Sequence, residues 1–155
     1  MPSYRIHRES GSSDRFVAAY LGGVGVLAEE ASRGIPVERV VKLSSDMHRS
    51  NEYVYRILRF PSATAKRKLK KEEPMSPDQS ERVLGLERLI GLVEVMIKAS
   101  GTQDESFNAP VWVANWLDRP CPALGNKRPA EYMSTRMGQE LVEGILAQMQ
   151  SGAYA

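Results

Sequence analysis

Cysteine is almost absent. Cys121 is the single one in 155 residues, which excludes an intramolecular disulfide and a self-contained cysteine metal site. Histidine is nearly as scarce: His7 and His48 stand apart, with no cysteine or acidic cluster at metal-ligand spacing near either, so no metal is expected. Long apolar runs are missing too. None approaches the ~18 residues of a membrane span, and the N-terminal stretch lacks a signal-peptide core. No membrane partner is therefore expected, and the chain reads as cytoplasmic. A dominant charge is also lacking, since 21 basic residues against 19 acidic leave a net charge of +2. Any electrostatic argument must rest on where the charges lie. Aromatic residues are only 7%, but a hydrophobic content of 42% is enough for a real core. The length suits one compact domain or two small helical ones sharing a core.

Groups for catalysis are likewise few. Glu29-Glu30 and Asp104-Glu105 are adjacent pairs, which on a helix point in different directions and stay solvated. Cys121 has no histidine or helix start beside it in sequence, so its thiol is expected to be inert. Met133, Met137 and Met149 read as core filler. No catalytic residue and no cofactor is expected, and the chain does not read as an enzyme.

Helical spacing is what the chain does contain. Residues 1–13 are polar and include Ser10-Gly11-Ser12-Ser13, which reads as a flexible arm. Asp14 is placed to cap a helix from Arg15, with Val17, Tyr20, Leu21, Val24, Leu27, Ala28 and Ala31 on one face. Gly22, Gly23 and Gly25 each cost ~1 kcal/mol inside such a helix, and close packing against a neighbour would explain them. A competing reading makes Phe16–Leu21 a strand and Gly23-x-Gly25-x-x-Ala28 a dinucleotide-binding turn. That fingerprint requires a second parallel strand soon afterwards, whereas Gly34, Pro36 and another helical pattern follow.

Pro36 opens a helix to about Met47, and Ser50 caps a second through Leu58. After Pro61-Ser62, a third runs from Ala63 to Lys71. Helix, helix, tight turn and basic helix outline a helix-turn-helix over residues 14–74. The basic run Lys66-Arg67-Lys68 and Lys70-Lys71 is the densest charge in the chain. Ser62, Thr64, Lys66, Arg67, Lys68 and Lys70 are the candidate contacts to operator DNA, mainly through phosphates.

Ser76 and Pro77 start a long helix reaching about Ala99, part of a second region over residues 75–155. Val83, Leu86, Ile90, Val93 and Ile97 alternate spacings of three and four, and Leu84, Leu89, Leu92 and Met96 widen the stripe. So broad a stripe predicts a homodimer, whose two-fold axis would also present two basic helices to successive half-sites. A shorter helix with Phe107, Val111, Val113, Trp116 and Leu117 follows. The fold class is all-α.

The last third carries the most specific pattern. After Trp116-Leu117, Pro120, Pro122, Pro129 and Gly125 exclude a regular element, leaving a turn-rich connector. Ser134 or Thr135 then caps a final helix with Met137, Leu141, Val142, Ile145, Leu146 and Met149, and Gly152 closes it. Trp116, Leu117, Pro120, Pro122, Ala123, Leu124, Gly125, Pro129, Thr135, Gly138, Leu141, Val142 and Gly152 together resemble the toxin-binding domain of Xre/MbcA/ParS antitoxins. Cys121 stands where that family usually has Asn, and Asn126 where it usually has a second Gly. Asn tolerates the same left-handed backbone. The resemblance implies an Xre-like helix-turn-helix followed by a helical toxin-binding domain. It further implies a cognate RES-domain toxin that depletes NAD, blocked sterically by the antitoxin, and repression of its own operon. Toxin contacts would fall on Gly152, Ala153, Tyr154 and Ala155, with Lys127 and Arg128 of the connector nearby. The competing reading is a helix-turn-helix transcriptional regulator with no toxin partner.

Overall fold

The computed structural model describes residues 10–101 and 106–152. Within them lie eight α-helices and two 3-10 turns, with no strand among the described residues. The helices are α1 Ser10–Leu21, α2 Val24–Arg33, α3 Glu38–Asp46, α4 Asn51–Ile57, α5 Ser62–Lys71, α6 Pro77–Ala99, α7 Ala109–Leu117 and α8 Arg136–Gln150. The 3-10 turns, Pro122–Leu124 and Pro129–Tyr132, lie in the connector between α7 and α8.

The long helix α6 is the axis of the molecule, and its start is specified locally. The Ser76 hydroxyl accepts from the Gln79 amide at 3.1 Å, and the Gln79 side chain accepts from the Ser76 amide at 3.1 Å. Pro77 occupies the first helical position, where its missing donor costs nothing. Around this axis pack α1, α2, α7 and α8. Val83, Leu86, Leu89, Ile90 and Val93 are buried within the single chain, and Met96 and Ile97 are half-buried against the same core. Each such burial contributes ~1.5–3 kcal/mol. The breadth of the stripe is thus met by four helices of one protomer and gives no ground for a second copy. The homodimer expectation loses the argument on which it rested.

The N-terminal third departs from expectation in two ways. Helix α1 begins at Ser10, so Asp14 lies inside it rather than capping it and residues 10–13 of the expected arm are helical, while residues 1–9 lie outside the described residues. The single helix expected from Arg15 to Ala31 is two, because Gly23 takes a φ of +83° and breaks the hydrogen-bond ladder. A glycine adopts that backbone without a Cβ clash. Phe16–Leu21 lies in α1, so the strand required by a dinucleotide-binding turn is not there.

Polar contacts tie this third to the axis. Glu87 on α6 is fully buried, and both its oxygens accept from Arg39 on α3, each at 2.9 Å. Arg15 on α1 lies 3.8 Å from the same carboxylate and pairs with Asp46 at 3.0 Å, while Arg39 also reaches Glu30 at 3.0 Å. Burial pushes the Glu87 carboxyl up, and the two guanidiniums pull it back. Arg39 is lowered by its own burial but raised on balance by the charge and hydrogen bonds of Glu87. Both Glu87 oxygens accept from the one guanidinium, the two-pronged geometry of a charge-assisted pair. The Ser80 hydroxyl accepts from the buried Ile35 amide at 3.0 Å, and Met75 N–H donates to the Ile35 carbonyl at 2.9 Å.

Candidate functional site

Helices α4 and α5 form the helix-turn-helix. Ser50 caps α4 by accepting from the Tyr53 amide, and Ala65, fully buried, docks α5. The Phe60 amide donates to the Tyr55 carbonyl at 2.7 Å across the turn between them. At the bend, Arg59 takes a φ of +51°, a left-handed backbone that glycine usually supplies. Arg82 from α6 donates to the Leu58 carbonyl at 2.9 Å and props the turn from below.

The sequence-expected DNA contacts all sit on α5 but do not share one face. Lys66, Arg67 and Lys70 are exposed, and so is Lys71, which the site assignment left out. Lys68 is half-buried and donates to the Pro74 carbonyl at 3.2 Å, on the flank facing the loop to α6, so it is not an outward contact. Thr64 is half-buried. Ser62 donates to Glu52 on α4 at 2.7 Å, and Lys66 pairs with the same oxygen at 3.2 Å. The Ser62 hydrogen bond, and then Lys66, hold the Glu52 carboxyl below the usual carboxylate range. Arg67 lies 3.6 Å from Glu73. The outward face therefore consists of Lys66, Arg67, Lys70 and Lys71, with Glu52 drawing Lys66 and Ser62 back toward α4.

A polar junction joins this unit to the C-terminal half. Tyr53 is buried and donates to the Ala114 carbonyl at 3.4 Å, and burial with the nearby Asp118 charge pushes its phenol up to about 12. Arg49 donates to Asn115 at 2.8 Å and lies 3.9 Å from Asp118.

In the connector, Cys121 and Lys127 pair across a tight loop, with the Cys121 amide donating to the Lys127 carbonyl at 2.9 Å. Gly125 and Asn126 turn that loop at φ of +63° and +65°, so Asn126 does adopt the left-handed backbone expected of it. Leu124, Pro129 and Met133 anchor the segment by burial. Thr135 caps α8 by accepting from the Gly138 amide at 3.1 Å. Gly138 itself has no room for a side chain, because a Cβ there would stand 2.0 Å from the Tyr132 carbonyl oxygen. Gln139 donates to the Arg82 and Met133 carbonyls at 2.9 and 3.0 Å, fastening α8 to α6 and the connector.

Helix α8 buries Val142, Ile145 and Leu146, but not every apolar residue of its pattern. Met137 is 82% exposed, and Leu141 and Met149 also face outward rather than filling the core. Trp116, Arg119, Pro120, Cys121, Pro122 and Ala123 form, with Ile145 and Met149, a largely apolar groove of about 490 Å³. Trp112 stacks on Trp116 behind it, with ring centroids 6.0 Å apart and planes within 8°. Gly152 follows at a φ of +75°, so the chain turns where α8 ends. Ala153, Tyr154 and Ala155 lie outside the described residues. Lys127 is exposed at the loop that rims the groove. Arg128 is not among the groove's lining residues. It shares a separate polar groove with Arg56 and Arg59, on the side of the helix-turn-helix.

Among the described residues no helix is long and apolar enough to cross a membrane, and no group of acidic, histidine and cysteine side chains is placed to hold a metal.

Two family models match the chain. The antitoxin Xre-like helix-turn-helix domain covers residues 26–88, and the antitoxin Xre/MbcA/ParS C-terminal toxin-binding domain covers residues 104–152. A curated relative, the Prs ADP-ribosylating antitoxin of Sphingobium sp. (strain YBL2), is 37% identical over 123 residues, which is 79% of this chain and 77% of that protein.

Proposed function

The chain belongs to the Xre/MbcA/ParS family of antitoxins, and from that membership we propose that it blocks a RES-domain, NAD-depleting toxin and represses its own operon. The observation that carries the toxin half is the unpartnered apolar surface of the C-terminal domain. Met137 and Leu141 face outward on α8, and Met149 opens into the groove beneath Trp116 and the connector. Exposed apolar side chains beside a rigid groove have the composition of an interface core. The ADP-ribosylating chemistry in the relative's name supports a toxin of the ADP-ribosyltransferase-like RES class. Steric blockade needs no catalytic group, so the antitoxin acts as a binding protein and not as an enzyme, in the cytoplasm where toxin and operator meet.

The DNA half rests on α5. Lys66, Arg67, Lys70 and Lys71 present cations to phosphates from the exposed face of α5. Two-fold operators favour a dimer, and its interface would be a surface other than the α6 stripe.

Co-expression with the neighbouring gene product tests the toxin half. The two proteins should co-purify as a complex of defined mass, and the toxin's NAD consumption should stop on adding the antitoxin. Separate elution with unimpeded NAD loss would leave only a DNA-binding regulator. For the DNA half, Lys66→Glu with Arg67→Glu should abolish operator binding and flatten its salt dependence while toxin neutralisation survives. Unchanged operator affinity would make α5 a solvated face.

A further inference from the structure

The polar groove beside the helix-turn-helix has no part in the functions above. It has a volume of about 460 Å³ and is lined by Arg56, Ile57, Arg59, Asp118, Arg128, Ala130, Glu131 and Ser134. One wall is the end of α4 and the turn before α5, and the other is the connector. The sequence separates Arg59 from Arg128 widely, yet the fold sets them around one opening.

Charge accounting within the groove is uneven. Asp118 already has Arg49 3.9 Å away, and Glu131 accepts from the Arg128 backbone amide at 2.9 Å. The three guanidiniums have no ion pair among the described residues, and Arg56 lies over the Tyr53 ring, 5.5 Å from its centroid. Among the described residues the arginines without an ion pair are Arg33, Arg56, Arg59, Arg119 and Arg128. Arg56, Arg59 and Arg128 gather at this opening, and all are exposed. Arg59 holds a φ of +51° where α4 ends, the left-handed turn that His48 and Glu72 also make after α3 and α5, so glycine can replace it without backbone strain.

We propose that Arg56, Arg59 and Arg128 form a phosphate clamp that extends the DNA footprint from α5 across to the connector. This rests on the DNA-binding reading above. Guanidinium groups present paired N–H donors that match phosphate oxygens, and such contacts at the flanks of a helix-turn-helix fix its register on the duplex. Continuity favours DNA as the occupant, since Arg59 lies just before the Pro61-Ser62 start of α5, the helix aimed at the duplex. Arg128 then works with the helix-turn-helix and not with the toxin-facing surface, although it belongs to the same domain as α8.

The test is duplex binding by Arg59→Gly, Arg128→Gln and the pair combined. The probe is DNA from upstream of the protein's own gene, titrated between about 50 and 200 mM salt. Each phosphate contact contributes about 0.9 to the slope of log affinity against log salt. Each single change should therefore lower the slope by about 0.9. The affinity defect should be about 3.5-fold larger at the low-salt end than at the high-salt end. Arg59→Gly should melt at or above the wild-type temperature, which separates lost contact from lost fold. If both variants keep wild-type affinity and slope while Lys66→Glu with Arg67→Glu loses binding, the clamp is wrong and the DNA reading stands. If the double reversal also has no effect, the DNA reading itself fails. Wild-type DNA binding with weakened toxin capture by Arg128→Gln would assign the groove to the protein partner and overturn the clamp.

Discussion

Replacing Arg39 with methionine would strand the carboxylate of Glu87. That carboxylate is 0% exposed, and both its hydrogen bonds come from Arg39, at 2.9 Å each. Breaking a buried pair from one side costs about 3–5 kcal/mol. The Arg39 side chain is 23% exposed, and Arg15 remains 3.8 Å from Glu87, so the lower end applies, about 3 kcal/mol at pH 7. For a chain of this length that is a fall of roughly 6–12 °C in melting temperature. The pH dependence identifies the cause. Burial already pushes Glu87 up, and the charge of Arg39 is the largest influence opposing it. Without Arg39 the carboxyl rises further, so the folded state retains a proton that the unfolded state releases. Stability of the variant is then greatest on the acid side and is lost as pH rises through that raised range, by up to about 1.4 kcal/mol per pH unit. The deficit against wild type should shrink between pH 7 and about pH 5. Urea unfolding at both pH values measures it, and adding Glu87→Leu to the variant should restore most of the loss, because removing both charges leaves none stranded. A deficit below about 1 kcal/mol, or one equal at both pH values, would refute the buried pair as drawn.

Other consequences are simpler to read. Glu52→Gln keeps an acceptor for the Ser62 hydroxyl but removes the charge that draws Lys66 back. Operator binding should tighten a fewfold, with a salt slope steeper by up to about 0.9, measured by anisotropy. Gly138→Ala would press a methyl onto the Tyr132 carbonyl. It should cost about 1–3 kcal/mol in urea unfolding and weaken toxin capture, because the connector must shift. Deleting residues 152–155 should leave melting temperature and operator binding unchanged while impairing toxin neutralisation. Full protection by the truncated protein would place the blockade on α8 and the groove alone.

What the sequence determined by itself is whatever a few neighbouring residues can specify. Ser50 and Ser76 announce the starts of α4 and α6, and Thr135 that of α8, because a cap is a contact between residues three apart. The prolines of the connector exclude helix by their own geometry, and Gly125-Asn126 turns the chain as their backbone freedom allows. The family pattern was legible for the same reason, being made of caps, turns and spacings. Tertiary structure decided what depends on which surfaces meet. The broad α6 stripe is covered within one chain, because α1 and α2, split at Gly23, lie over it with α7 and α8. Half the apolar pattern of α8 faces outward because α6 and the connector cover only one side of that helix. Glu52 and Lys66 meet across a bend, and Arg59 and Arg128 meet across a groove between two halves of the molecule. No local signal marks such pairs, because their proximity follows from the docking of whole helices and not from spacing along the chain.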